Sequence, residues 1–211
     1  MDTIDCIYYI NLDKREDRNK EFLECMNDLN VPFEKIQRIP AIYETLGCLG
    51  CTKSHILALE TFLASDNNKC IIFEDDFQYK DKEIFWSTIQ SVIDTKVPID
   101  ILQLSYNHIY YPEVYHIIHD TEYPFLKKVE HTITSSSYII TKEFAPVLLQ
   151  NLKESSELLS KHGPGDNNDY VLDVYWNKIQ FISNWYIVSP ALGYQRPSYS
   201  DICENHQDYG V

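Results

Sequence analysis

Residues 69–76 read Lys-Cys-Ile-Ile-Phe-Glu-Asp-Asp. The short apolar run Cys70–Phe73 has the signature of a buried strand, and the three acids that follow it fall at the strand's C-terminal end. In open α/β sheets, ligands bind outside that edge. Adjacent carboxylates repel one another unless a cation or a hydrogen-bond network compensates. Hard oxygen ligands of this kind suit Mg²⁺ or Mn²⁺. The plain alternative is a solvated turn in an acidic protein.

Working outward, the chain alternates strand-like and helix-like segments. Residues 5–12 (Asp-Cys-Ile-Tyr-Tyr-Ile-Asn-Leu) form another apolar run rich in β-formers. A helix capped by Asp13 is expected to about Asn30, with Phe22, Cys25, Met26 and Leu29 on one face, and Pro32 stops it. Residues 33–39 read as a second strand and 46–52 as a glycine-punctuated loop. A helix over 53–65 follows, with Thr52 at its N-cap. Further helices are expected over 82–95, 142–161 and 169–180, and further strands over 99–104, near 126–130, 136–141 and 185–188. The tyrosine-rich stretch 105–125 has no clear period and reads as loops or short pieces. Strand–helix alternation through the first hundred residues points to an α/β fold with a mixed, mostly parallel sheet flanked by helices.

Composition bounds the function. The 211 residues contain 18 Lys and Arg against 32 Asp and Glu, a formal charge of −14. Such a chain repels nucleic-acid backbones and anionic lipid. No apolar run reaches the ~18 residues of a membrane span. The opening Met1-Asp2-Thr3-Ile4-Asp5 carries acids where a secretory signal carries bases, so a cytoplasmic location is expected. Of the cysteines, Cys6, Cys25 and Cys70 sit in apolar segments and read as buried thiols.

Other segments carry candidate chemistry. Gly47 to His55 is a glycine loop opening a helix, which frees backbone N–H groups for an anion, and Lys53, Ser54 and His55 add donors. It also reads as an ordinary loop-to-helix junction. Cys48 and Cys51 have C-x-x-C spacing, but zinc would need a second ligand pair, and the sequence shows none at similar spacing. Arg15 and Arg18 are three residues apart and can face one ligand, or form a solvated helix start. Asp169 and Asp173 would share a helix face, although an acid near a helix N-terminus needs no other explanation. The 16 tyrosines offer faces for sugar rings, or simple packing.

Together these segments resemble glycosyltransferase family 25, which includes bacterial lipopolysaccharide sugar transferases and procollagen galactosyltransferases. The resemblance rests on Ile10-Asn11-Leu12 through Arg15 and Arg18, on Arg38-Ile39-Pro40-Ala41, and on Gly47, Gly50, Cys51, Ser54 and His55. It continues through Phe73-Glu74-Asp75-Asp76 and Ser136-Ser137-Tyr138-Ile139-Ile140 to a late aspartate before an aromatic segment. The ending Asp173-Val174-Tyr175-Trp176, with Pro197-Ser198-Tyr199-Ser200-Asp201-Ile202, looks most like small members from giant viruses. For such a member the location would be host cytoplasm or virion. The chain departs from the family at Cys48, where an acid is usual, and in lacking the signal and second domain of the larger animal enzymes.

The resemblance implies a GT-A fold in one domain, with residues 1–104 as the nucleotide-sugar-binding half and 105–211 as the acceptor-side half. It implies an inverting transfer of glucose or galactose from UDP-glucose or UDP-galactose to a protein (collagen-like hydroxylysine) or glycan acceptor. Mn²⁺ or Mg²⁺ would sit on Asp76 with Asp75. Glu74 and Asp75 would lie toward the ribose and the metal's water shell. Asn11, Leu12, Arg15, Arg18, Ala41, Ser54 and His55 would line the donor site. Asp173 would be the base, with Asp169 in reserve. A non-catalytic nucleotide-sugar or glycan-binding module is the alternative. A sugar-nucleotide pyrophosphorylase is disfavoured because residues 5–20 hold no glycine-rich, lysine-bearing loop.

Overall fold

The computed structural model describes residues 4–107, 118–200 and 205–208. In chain order the first half holds β1 (Cys6–Asn11), α1 (Glu16–Asp28), β2 (Ile36–Pro40), α2 (Gly47–Ala64), β3 (Lys69–Glu74), β4 (Phe77–Tyr79), α3 (Lys82–Asp94) and β5 (Ile101–Gln103). The second holds β6 (Ile118–Asp120), β7 (Leu126–Val129), β8 (Ser137–Thr141), α4 (Ala145–His162), α5 (Leu172–Tyr175), α6 (Asn177–Gln180) and β9 (Trp185–Val188). It ends in three short strands, β10 (Gly193–Gln195), β11 (Ser198–Ser200) and β12 (Asn205–Gln207).

β1 is buried along its whole length, and its pleat divides the interior. Cys6, Tyr8 and Ile10 enter one apolar cluster, while Ile7 and Tyr9 enter the other, as a period of two requires. Ala58, Leu59 and Phe62 of α2 and Leu148 and Leu152 of α4 cover the first face. Phe22 and Met26 of α1 and Phe85, Ile89 and Val92 of α3 cover the second. The central sheet has the order β2-β1-β3-β8-β5-β9-β7-β6. β1 pairs in parallel with β2 and β3, and β5 with β9, whereas β8 and β7 run against their neighbours. Six of the eight strands therefore point one way, so the sheet is mixed and mostly parallel in direction.

Several element boundaries differ from the sequence reading. α1 starts at Glu16 with no side-chain cap, because Asp13 instead accepts from Arg38 Nη2 at 2.7 Å. Residues 33–35 make a 3₁₀ turn, and only then does β2 begin. α2 begins at Gly47, and the Thr52 hydroxyl donates to Cys48 O at 2.9 Å inside the helix rather than capping it. The reason lies at Gly50, where a Cβ would stand 2.6 Å from Ile42 O. That glycine permits close approach of the helix to the 42–44 segment instead of breaking the helix. The expected helix over 169–180 is two single turns, α5 and α6. Its start is drawn into a turn, with Asn168 at φ 58 and Tyr170 O held by the Ser155 hydroxyl at 2.7 Å. Within the 105–125 stretch, β6 forms from residue 118, and residues 108–117 lie outside the described residues. So do Asp201 and Ile202 of the late motif.

Candidate functional site

The parallel register places Ile10 opposite Glu74, so the C-terminal ends of β1 and β3 meet. Asn11 and the acids beyond β3 are thereby brought together. Asp75 and Asp76 are 6% and 7% exposed. Asn11 Nδ2 donates to Asp75 Oδ2 at 2.7 Å, and the Asn11 carbonyl oxygen Oδ1 is fixed by Arg38 Nε at 2.8 Å. Arg18, in the first turn of α1, donates from Nη1 to Asp75 Oδ1 at 2.8 Å and to Asp76 Oδ2 at 3.2 Å. Its other nitrogen, Nη2, reaches Ser198 Oγ at 2.5 Å and Tyr199 O at 3.0 Å. Arg15 Nη1 also reaches Tyr199 O, at 3.1 Å. The two arginines thus fasten β11 across the acids. Arg196 completes the frame, donating from Nη2 to Asp75 O and from its backbone N–H to Asp76 O, both at 2.8 Å.

Glu74 has a separate set of partners. Ser135 Oγ donates to its Oε1 at 2.5 Å, and His55 Nε2 lies 3.3 Å from the same oxygen. His55 Nδ1 is 3.0 Å from the Tyr138 hydroxyl, and its ring is stacked on that of Tyr138. Burial works to raise the Glu74 pKa, but the bond and charge of His55, with Ser135, outweigh it and leave the group below its ordinary value. Asp75 goes the other way, because burial prevails over Arg18 and Asn11. Asp76 is pushed up to about 7, first by burial and then by the charge of Glu74, with Arg18 opposing. Its Oδ1 is buried and has no partner at hydrogen-bond distance among the described residues, while the nearby Gln195 side chain also favours the charged form.

The three acids, with Arg15, Arg18 and His55, line one cleft of about 760 Å³, counting the space open to solvent. Of the residues singled out from sequence, Leu12, Arg15, Arg18, Ala41, Ser54, His55, Glu74, Asp75 and Asp76 all stand on its wall. Asn11 lies beneath the wall and orients Asp75. Ser54 acts through the backbone, donating to Gly50 O at 2.6 Å and accepting from Ile42 N–H at 2.8 Å. Asp173 is half-buried beside the site, where Oδ2 accepts from Thr134 N–H at 2.9 Å. Burial raises its pKa, and Glu74 adds to the rise. Asp169 is exposed in the turn before α5, so the two aspartates do not share a helix face. Sequence reasoning missed Arg38, Ser135, Arg196 and Gln195 as site residues. Arg38 sits in a quoted motif, but the others carry no local signal.

A sequence model of glycosyltransferase family 25, described as an LPS biosynthesis protein, matches residues 44–161, more than half of the 211-residue chain. Solved structures of similar fold include a mannose-1-phosphate geranyltransferase from Thermus thermophilus, with TM-score 0.51 and 10% identity over 88% of this chain and 73% of that one. Another is A197 from STIV, with TM-score 0.50 and 13% identity over 96% and 93%. A third is a glycosyltransferase involved in the glycosylation of the major capsid of PBCV-1, with TM-score 0.50 and 14% identity over 88% and 82%. At these identities the likeness is one of fold. No curated protein matches the chain.

Proposed function

Since the chain belongs to glycosyltransferase family 25, we propose that it moves a hexose, glucose or galactose, from a UDP-sugar to a hydroxyl of a protein or glycan acceptor, inverting the anomeric centre. Membership makes it a glycosyltransferase, and the donor, the acceptor and the metal are our reading. The observation that carries this reading is Asp76, a carboxylate on the cleft wall with one buried oxygen that has no partner at hydrogen-bond distance among the described residues. An orphaned buried oxygen of this kind costs stability unless a ligand satisfies it. A hard divalent cation, Mn²⁺ or Mg²⁺, fits that oxygen, and Asp76 with Asp75 would hold it. Such an ion, when bound, would neutralise the donor diphosphate and stabilise charge developing on the leaving phosphate.

The remaining work falls to the chain's own groups. Arg15 and Arg18, on the cleft wall at the start of α1, face the diphosphate and offset part of the charge of Asp17, Asp75 and Asp76. Leu12 and Ala41, at the ends of β1 and β2, bound the nucleoside. Asn11 and Arg38 keep Asp75 turned toward the donor, and Ser54 holds the 42–44 wall in place. Glu74 and His55 form the polar floor beside them. Asp173 takes the acceptor hydroxyl's proton. Its raised pKa favours that role, since a base works best when its pKa approaches the working pH. Neither Asp173 nor Asp169 is on the cleft lining itself, but Asp169 is exposed in the turn before α5 and has no comparable support.

Labelled UDP-glucose and UDP-galactose incubated with the protein and Mn²⁺ test the reading, with hydroxylysine peptides and glycans as acceptors. Transfer, or slow metal-dependent hydrolysis of the donor, is expected. Donor binding without any turnover would mean a binding module instead, and pyrophosphate exchange would mean a pyrophosphorylase.

A further inference from the structure

Cys51 and His55 are four residues apart on α2, so their side chains leave the helix on one face. β3 brings Glu74 against them. Cys51 Sγ, a ring nitrogen of His55 and a Glu74 carboxylate oxygen all lie within 4.8 Å of one another. All three residues stand on the cleft wall. From this geometry we infer that Cys51, His55 and Glu74 form a binding site for a thiophilic divalent cation of the zinc class, separate from the hard-oxygen position at Asp76.

The donor chemistry selects the class. A thiolate, an imidazole and a carboxylate together suit Zn²⁺, whereas Mn²⁺ and Mg²⁺ prefer oxygen ligands. Three protein ligands leave a fourth position, and here it opens to the cleft. The supporting shell is also in place. A ligating histidine needs its second nitrogen held, and a ligating carboxylate needs a hydrogen-bond partner. Tyr138 OH lies 3.0 Å from His55 Nδ1, and Ser135 Oγ donates to Glu74 Oε1 at 2.5 Å. His55 is 0% exposed and its ring lies over Tyr138 with the planes 20° apart, so the imidazole is held facing Glu74. Coordination forms a sulfur–metal bond and releases the Cys51 thiol proton to solvent, with no change of oxidation state. The C-x-x-C spacing misdirects here. Cys48 is outside the group, and the partners of Cys51 come from the next helical turn and from another strand.

Cobalt serves as a spectroscopic stand-in for zinc. Stoichiometric Co²⁺ added to the metal-free full chain should give a thiolate-to-cobalt charge-transfer band in the near ultraviolet, which Zn²⁺ then abolishes. Cys51→Ser should remove the band, while Cys48→Ser and Asp76→Asn keep it. Tyr138→Phe should weaken Zn²⁺ affinity roughly 10–100-fold, the usual effect of losing an outer-shell partner. Absence of the band at stoichiometric cobalt overturns the assignment, as does a band that survives Cys51→Ser. Cadmium NMR of the wild-type chain asks the same question without a variant that must fold. A thiolate-shifted resonance is expected, and a resonance in the all-oxygen range overturns the site.

Discussion

Asp76→Asn should stabilise the metal-free protein at alkaline pH while removing its response to Mn²⁺. The Asp76 carboxyl moves from its ordinary 3.8 to about 7 in the folded chain, chiefly through burial and the neighbouring Glu74 charge. Between those values the folded protein holds a proton that the unfolded chain releases. Stability therefore falls as pH rises through this window and levels off above it. Three pH units at about 1.4 kcal/mol each set a ceiling of roughly 4 kcal/mol. Asparagine keeps the size and an oxygen for Arg18, and the attraction of Arg18 for the carboxylate is already contained in that shift. A gain of about 2–3 kcal/mol at pH 8, below that ceiling, corresponds to a rise in Tm of about 5–10 °C for a chain of this size. At pH 5 the gap should shrink by more than half, because folded wild-type Asp76 is then protonated and most of the window lies above that pH. Thermal melts in chelator from pH 5 to 8 measure this directly. A second series with Mn²⁺ should stabilise the wild type by mass action and leave the variant unmoved. If the variant melts at or below the wild type at pH 8, or if the gap is the same at pH 5, the carboxyl is not destabilised by its surroundings and the reasoning fails.

Arg18→Met removes the cation shared by Asp75, Asp76, Ser198 and Tyr199. It should cost about 3 kcal/mol in urea unfolding at pH 8, since it leaves buried carboxylates unpaired, and a loss under about 1 kcal/mol would show that the clamp is not structural. Asp173→Asn should lower turnover by roughly 10²–10⁴ with donor affinity nearly unchanged, and normal turnover would place the base elsewhere. Gly50→Ala forces a Cβ to within 2.6 Å of Ile42 O. Strain of about 1–3 kcal/mol should exceed the gain of about 1 kcal/mol in helix propensity, and a Tm at or above wild type would contradict that packing.

The parts of the fold that could be read from sequence are those governed by short periods. β1 and β3 appear as apolar runs because they are buried on both faces, and α1, α3 and α4 show helical spacing because one side packs on the sheet. The start of α2 was hidden because Gly50 serves packing against Ile42 O, a contact outside any local window. The helix expected over 169–180 fails for a similar reason. Ser155 captures Tyr170 O, and Gln180 bonds to Thr132, 48 residues away. In the site, the acids at the end of β3 could be read because chain order alone places them there. The partners of Glu74 and His55 could not, since Ser135 is 61 residues from Glu74 and Tyr138 is 83 residues from His55. Arg18 was legible as a group facing the cleft, but its pairing with both aspartates needs the β1–β3 register.

That pairing bears on how a chain of charge −14 could hold a nucleotide diphosphate. The cleft wall carries the cations Arg15 and Arg18 and the acids Glu44, Glu74, Asp75 and Asp76. Lys53, just behind the wall, is paired with Glu44, and Arg15 with Asp17, which leaves +1 against −3 when all are ionised. Arg15 is engaged by Asp17, with Nε 2.9 Å and Nη2 2.8 Å from the carboxylate, and Arg18 is shared between Asp75 and Asp76. Neither arginine is therefore a spare charge, and a diphosphate entering this cleft alone would meet a field of its own sign. Protonating Asp76 removes one negative charge but supplies no positive one. A divalent cation on Asp76 would do both, since it would replace the proton and bring two positive charges to face the donor. The acidity of the wall and the raised pKa of Asp76 thus have one explanation under the proposed function. On that proposal the free carboxylate cluster is destabilised because a cation would complete it.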